Sequence, residues 1–215
     1  MVKMNIILVI EKIVLVIIGA TIGIITNIVL DCWRKIKERK EMAKLFRARI
    51  KSQLEVGDYI EKLLREDRIQ QIREEIDILI RHFDRDDVYK AFVTKIGLYP
   101  LNLIEKIMEY FDYLNLYKKN LKLMVAENNL SRWQGFYMAK IIGIECLILL
   151  NKDVLKDKKE LKFYTNLLRE EYCKRFIPVI KKGKEEGLPV KDLEEIVKRI
   201  EVIFQQLKMS DELKC

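Results

Sequence analysis

Residues 81–87 carry the side chains of this chain best suited to acid–base or metal chemistry. His82, the single histidine, is followed by Asp84, Asp86 and Asp87. An imidazole beside carboxylates can hold a divalent cation or move a proton near neutral pH. The same residues also fit a helix end, where an aspartate caps the next helix and acidic residues favour its first turn. We favour the helix-end interpretation and expect no metal site here.

No other motif predicts catalysis. The chain lacks both glycine-rich phosphate loops, G-x-x-x-x-G-K and G-x-G-x-x-G. Its serines, Ser52, Ser131 and Ser210, do not occur in the G-x-S-x-G turn that exposes a nucleophile. We therefore expect neither an enzyme nor a bound cofactor.

The cysteines are scattered as Cys32, Cys146, Cys173 and Cys215. None belongs to a C-x-x-C pair, so the spacing suits neither a zinc site nor a disulfide framework. We expect reduced thiols that are mostly packed inside the protein.

Glu145 is the single charge in the ten-residue apolar run of residues 141–150, IIGIECLILL. This run is too short to cross a bilayer, so we predict a central buried helix. A buried carboxylate is costly unless it is paired. Glu145 should therefore either pair with a lysine or arginine or lie on a hydrated stripe, and a functional carboxylate is the remaining alternative.

The elements that must position these residues begin with a longer apolar run, Ile13–Leu30, which contains no formal charge. As a helix its eighteen residues would span roughly 27 Å, close to the hydrocarbon thickness of a bilayer. A cleaved signal would have a shorter apolar core and a small-residue cleavage site, which are absent here. A buried helix of a soluble protein is the other alternative, but it rarely lacks charge over this length. We predict a transmembrane helix.

The flanks of this run predict its orientation. Of the total charge of +8, residues 31–51 carry +6, whereas residues 52–215 carry +1. Positive flanks prefer the cytoplasmic side, so we expect the N-terminus outside and the C-terminal body in the cytoplasm of a cell-membrane protein. Trp33 is the expected interfacial anchor. The expected contacts with anionic lipid headgroups are Arg34, Lys35, Lys37, Arg39 and Lys40. Because the basic excess is confined to this segment, we expect no nucleic-acid partner.

Gly19 and Gly23 form a G-x-x-x-G step within the apolar run. Two glycines one turn apart allow two membrane helices to approach closely. We therefore predict that these residues pack against another transmembrane helix.

The rest of the chain shows helical periodicity. After the apolar run, Ile36, Ala43, Phe46, Ile50 and Leu54 recur at helical spacing, and Gly57-Asp58 reads as a break or cap. Period-two alternation is absent beyond a few residues, which excludes a substantial sheet. We predict an all-α protein with three parts: a transmembrane anchor over 1–31, a basic juxtamembrane helix over 32–56 that continues from the span, and a cytosolic helical bundle over 57–215.

Two functions of different classes fit this layout. The first is a membrane-anchored module whose helical domain acts as a scaffold or recruits a partner, either another protein or a second copy. The second is an oligomeric effector or pore assembled through the transmembrane helix. Thr21, Thr26 and Asn27 are the polar side chains of that helix, which makes a poor channel lining in a single copy.

Overall fold

The computed structural model describes residues 2–84, 87–127, 135–186, 190–209 and 213. Throughout these residues the regular structure is helical and there is no strand. The all-α prediction, with a long apolar first helix followed by a multi-helix bundle, is therefore confirmed. The chain divides into two compact units, residues 1–41 and 42–215. This boundary falls within the segment that we predicted as a juxtamembrane helix.

The α-helices follow one another along the chain. The first, α1, runs Val2–Arg65 and contributes residues to both units. The α-helices that follow are α2 (Ile69–Arg81), α3 (Asp87–Thr94), α4 (Leu101–Glu127), α5 (Gly135–Leu149), α6 (Lys158–Glu170), α7 (Ile177–Glu185) and α8 (Lys191–Leu207). A short 3₁₀ turn precedes α4, and π-helical turns at 150–155 and 171–176 follow α5 and α6.

The second unit is organised around α5. Every residue of 141–150 except Leu149 is buried, which confirms the predicted central helix. The neighbouring α4 packs along α5. Gly143 allows this close approach, because a β-carbon there would lie 2.8 Å from the ring of Tyr110.

Aromatic rings join the other elements to this core. Phe46 of α1 contacts Phe92 of α3 and Phe111 of α4, with ring centroids 4.6 and 6.3 Å away. Tyr117 of α4 lies 4.9 Å from Phe136 at the start of α5. The two Phe46 pairs are edge-to-face, and pairs of this geometry add to the free energy gained from burial.

The predicted break at Gly57 is wrong. The α1 helix continues through this residue to Arg65. Gly57 serves packing instead, because a β-carbon there would overlap the ring of Phe136. A glycine can end a helix or permit close contact, and the neighbouring sequence alone does not distinguish these roles.

Candidate functional site

The apolar part of α1 is the main candidate for a functional surface. Its large side chains from Val14 to Leu30 are 46–71% exposed in the structure. Within the described residues, this is the one helix long and apolar enough to cross a membrane, with a mean hydropathy of 2.2 and no buried residue in its most apolar window. Thr21 satisfies its hydroxyl locally by donating to the carbonyl of Ile17 at 2.8 Å. Such a bond lowers the free energy needed to place a hydroxyl in hydrocarbon.

Gly19 and Gly23 lie on one face of this helix. A β-carbon at either position would meet no atom within 4 Å. The backbone is therefore open on that face, as close packing with another helix requires. Their role in packing remains a prediction.

The basic flank of the apolar segment is largely open to solvent. Trp33 is 60% exposed, and the Lys37 ammonium lies 5.6 Å from the centre of its ring. Lys35 forms an ion pair with Asp31 at 2.9 Å. The hydrogen bond from Lys35 to Asp31 raises the pKa of that ammonium. Of the five predicted headgroup contacts, Arg34, Lys35, Lys37 and Lys40 are exposed and Arg39 is half-buried.

Glu145 lies within a balanced ionic cluster in the second unit. Its side chain is only 5% exposed. Arg199 of α8 donates to Glu145 at 2.9 Å and to both oxygens of Glu109 at 2.6 and 2.8 Å. Lys106 of α4 lies 3.1 Å from Glu109 and 3.7 Å from Glu145. The expected pairing of Glu145 with basic residues is thus observed, with two carboxylates facing two cations.

The charges of this cluster stabilise one another. The hydrogen bond from Arg199 holds the pKa of Glu109 below its ordinary value. Burial alone would lower the pKa of Arg199, but its hydrogen bonds to Glu109 and Glu145 raise it overall. Glu109 and Arg199 therefore remain charged near neutral pH, and Glu145 joins α4, α5 and α8 through its ion pairs with Lys106 and Arg199.

A second cluster joins α1, α5 and the π-helical turn at 171–176. Lys140 of α5 pairs with Asp58 at 2.6 Å and with Glu171 at 2.9 Å. Burial would lower the pKa of Lys140, but Glu171 and Asp58 raise it above its ordinary value. Arg175 bridges Glu171 at 3.0 Å and Glu61 at 3.1 Å. An open cleft of about 420 Å³ adjoins this cluster, lined in part by Arg175.

The region of His82 is described up to Asp84 and again from the backbone of Asp87. His82 lies in the turn after α2, and its carbonyl accepts a hydrogen bond from Gln53 at 3.0 Å. Asp84 pairs with Lys118. Asp86 and the side chain of Asp87 lie outside the described residues. In the part of the chain that is described, no three His, Cys, Asp or Glu side chains are grouped so that they could hold a metal ion.

The cysteines differ in state. Cys32 is exposed and Cys146 is buried, and both are free. Burial raises the pKa of the Cys146 thiol, which keeps it protonated and unreactive. Cys173 is disulfide-bonded. The expectation of reduced thiols is therefore wrong for Cys173, because distances along the sequence do not report which thiols meet in the fold.

Sequence reasoning missed most of the buried ionic partners. Glu61, Lys140 and Glu171 are each at most 9% exposed, yet they resemble ordinary surface charges in composition. Their signal in the sequence is weak, because only Lys140 has apolar residues four positions away on both sides, Phe136 and Ile144. Glu61 has Gly57 and Arg65 at these positions, and Glu171 has Leu167 and Arg175. Comparisons of the chain with protein-family models, with curated proteins and with solved structures find no match.

Proposed function

We propose that this protein is a single-pass, membrane-anchored interaction module. Its α1 helix would cross the cell membrane over residues 13–30, and its helical bundle would act as a scaffold or recruit a partner at the cytoplasmic face. The observation that carries this proposal is the exposure of the apolar segment of α1. Apolar side chains along about five turns are costly in water and favourable in lipid.

The basic flank supports the same proposal. Arg34, Lys35, Lys37 and Lys40 extend into solvent directly after the apolar segment, beside an exposed Trp33. Tryptophan prefers the membrane interface, and each lysine or arginine near anionic lipid contributes about 1 kcal/mol. Anionic headgroups are therefore the ligands that we propose for this segment.

The bundle supports a scaffold more than an enzyme. Its buried charges, including Glu145 and Lys140, are engaged in ion pairs that hold helices together. Residues 52–215 are almost neutral, which gives them no general attraction for nucleic acid. A rigid helical domain with internal ion pairs is suited to presenting a surface to another protein.

Membrane fractionation of Ile18→Arg/Ile25→Arg tests the anchor. An arginine near the bilayer centre costs roughly 2.5–3.5 kcal/mol, so the doubly substituted chain should leave the alkali-resistant membrane fraction. The matched control is Val179→Arg/Val202→Arg, which changes two equally exposed apolar side chains of the bundle. The control should remain in the membrane. Equal release of both variants, or release of neither, would contradict the proposal.

A second candidate function is an oligomeric effector or pore, which the open face at Gly19 and Gly23 favours. Native mass spectrometry in mild detergent tests it with Gly19→Ile/Gly23→Ile beside wild type. A defined oligomer that dissociates in this variant would support assembly through α1. The control Ile17→Phe/Ile24→Phe adds bulk to the opposite face and should leave the oligomer intact. A monomer in all three chains would make α1 a plain tether.

A further inference from the structure

The outer face of α4 carries a row of exposed apolar side chains. Leu101 is 70% exposed, Met108 45%, Leu116 47% and Leu123 40%. Their spacing of seven or eight residues corresponds to two helical turns, so all four lie on one face over about 33 Å. Single exposed apolar residues are common on protein surfaces. Four in one row along a helix are typical of a contact surface.

Opposite charges alternate with these apolar residues. Glu105 lies between Leu101 and Met108, and Lys119 lies between Leu116 and Leu123. Both are exposed, and within the described residues neither has an ion-pair partner. The N-terminal half of the row is therefore acidic and the C-terminal half is basic.

The row on α4 is complementary to the same row on a second copy that runs in the opposite direction. Asp112 lies at its midpoint, and the residues of the row that are equally distant from Asp112 are matched in character. When two such helices pair antiparallel, apolar residues meet apolar residues and glutamate meets lysine. The matched pairs are Leu101 with Leu123, Glu105 with Lys119, and Met108 with Leu116.

We propose that α4 is a self-association surface, which pairs antiparallel with α4 of a second copy around a twofold axis at Asp112. A twofold interface uses the same patch on both copies, as this symmetry of residues requires. Complementary charges on either side of the axis set the direction and register of the pair. The proposal does not rest on membrane anchoring, because it concerns only residues of the bundle.

The size of the interface limits the strength of the pair. One helix from each copy makes a small interface by the standards of stable complexes. The association is therefore reversible.

Cysteine cross-linking in the full chain tests the register. The background carries Cys32→Ser to remove the exposed native thiol, and Gly19→Ile/Gly23→Ile to remove pairing through α1. Asp112→Cys should form a disulfide-linked dimer, because a residue on the axis meets its own copy. Lys158→Cys, an exposed position on α6, is the matched control and should not. Equal cross-linking at both positions would overturn the proposal.

Mixed cross-linking distinguishes antiparallel from parallel pairing. A chain with Leu101→Cys should cross-link to a chain with Leu123→Cys, and neither should cross-link efficiently to itself. Efficient linkage of Leu101→Cys to its own copy would indicate parallel helices and overturn the register.

Charge reversal provides a test without cysteine chemistry. Glu105→Lys or Lys119→Glu alone places like charges opposite each other, and should raise the dissociation constant about tenfold in analytical ultracentrifugation. Both changes in one chain restore opposite charges and should return the constant to near its original value. Circular dichroism verifies that the helical content is unchanged. Equal constants for all four chains would overturn the proposal.

Discussion

Buried charged side chains are the residues that constrain the second unit most strongly. Glu145, Glu61, Lys140 and Glu171 are 4, 4, 5 and 9% exposed. A buried charge without a partner is strongly destabilising, and each of these residues has an ion-pair partner on another element. The ion pairs consequently help to specify which helices are neighbours. The apolar core is less selective for particular neighbours, because apolar side chains of similar size can replace one another.

Glu145→Gln should lower the free energy of unfolding by about 2 kcal/mol, because Arg199 loses one of its two charged acceptors in a buried site. In a chain of this size the thermal midpoint should fall by roughly 4–8 °C. Thermal unfolding followed by circular dichroism measures this. Glu170→Gln is the matched control, since its carboxylate is 61% exposed beside Lys174. Exposed pairs contribute at most about 1 kcal/mol, so an equal shift in both variants would contradict the role of Glu145.

Acid should destabilise the Glu109–Arg199 pair in a defined range. Arg199 holds the pKa of Glu109 below its ordinary value of 4.5. The stability from this group is therefore complete above pH 4.5 and is lost as the pH falls through the lower pKa of the folded state. Thermal midpoints between pH 7 and 3.5 should fall less steeply below pH 4.5 in Glu109→Gln than in wild type. Lys122→Gln, on the same helix, should keep the wild-type slope.

At the scale of elements, the packing of α1 on α5 depends on shape. The α1 helix passes the start of α5 at Gly57, where the ring of Phe136 occupies the space of the missing side chain. Farther along α5, Gly143 has the same role for Tyr110 of α4. Helices approach this closely only where one of them lacks a β-carbon.

Gly57→Ala should therefore destabilise the bundle, although alanine is the better helix former. The new methyl group would overlap the Phe136 ring, and overpacking of this kind costs about 1–3 kcal/mol. Chemical denaturation measures the change. Gly97→Ala is the control, because a β-carbon there meets nothing within 4 Å. On a Phe136→Leu background the penalty should shrink, and an unchanged penalty would show that the clash is not its cause.

At the scale of the whole molecule, the charge distribution bears on orientation. Residues 31–51 carry +6, whereas residues 52–215 carry +1. This asymmetry favours a cytoplasmic bundle. The disulfide of Cys173 favours the opposite orientation, because disulfides persist mainly in oxidising compartments. We propose the orientation that the charge asymmetry favours, and the location of the C-terminus tests it.

A fluorescent protein fused to the C-terminus should report a cytoplasmic location. Such a reporter fluoresces only poorly when it is exported unfolded. Replacing Arg34, Lys35, Lys37, Arg39 and Lys40 with glutamine should reduce that fluorescence, because the flank loses its charge bias. The control replaces five exposed basic residues of the bundle, Lys152, Lys158, Lys159, Lys162 and Lys181. A phosphatase that is active only after export, fused to the same C-terminus, is the complementary reporter. Low fluorescence of the unmodified chain together with high phosphatase activity would reverse the proposed orientation.

The all-α class and the apolar segment of α1 could be predicted because both are local properties. Helical spacing of apolar residues, as from Ile36 to Leu54, is visible within a few turns. The same holds for the buried helix around Glu145, whose composition is apolar on all sides. Burial of that helix followed directly, since such a surface has a high free energy in water.

The partners of the buried charges and the role of Gly57 were decided by the tertiary structure. Arg199 lies 54 residues from Glu145 along the chain and 90 from Glu109. Many exposed lysines and arginines are equally suitable partners by type, and only the packing of α4, α5 and α8 brings this one within hydrogen-bonding distance. Gly57 has the same explanation, because the ring that excludes a side chain there comes from a distant helix. Local sequence determines which helices form and which faces are apolar, whereas the meeting of particular faces depends on how all of them pack together.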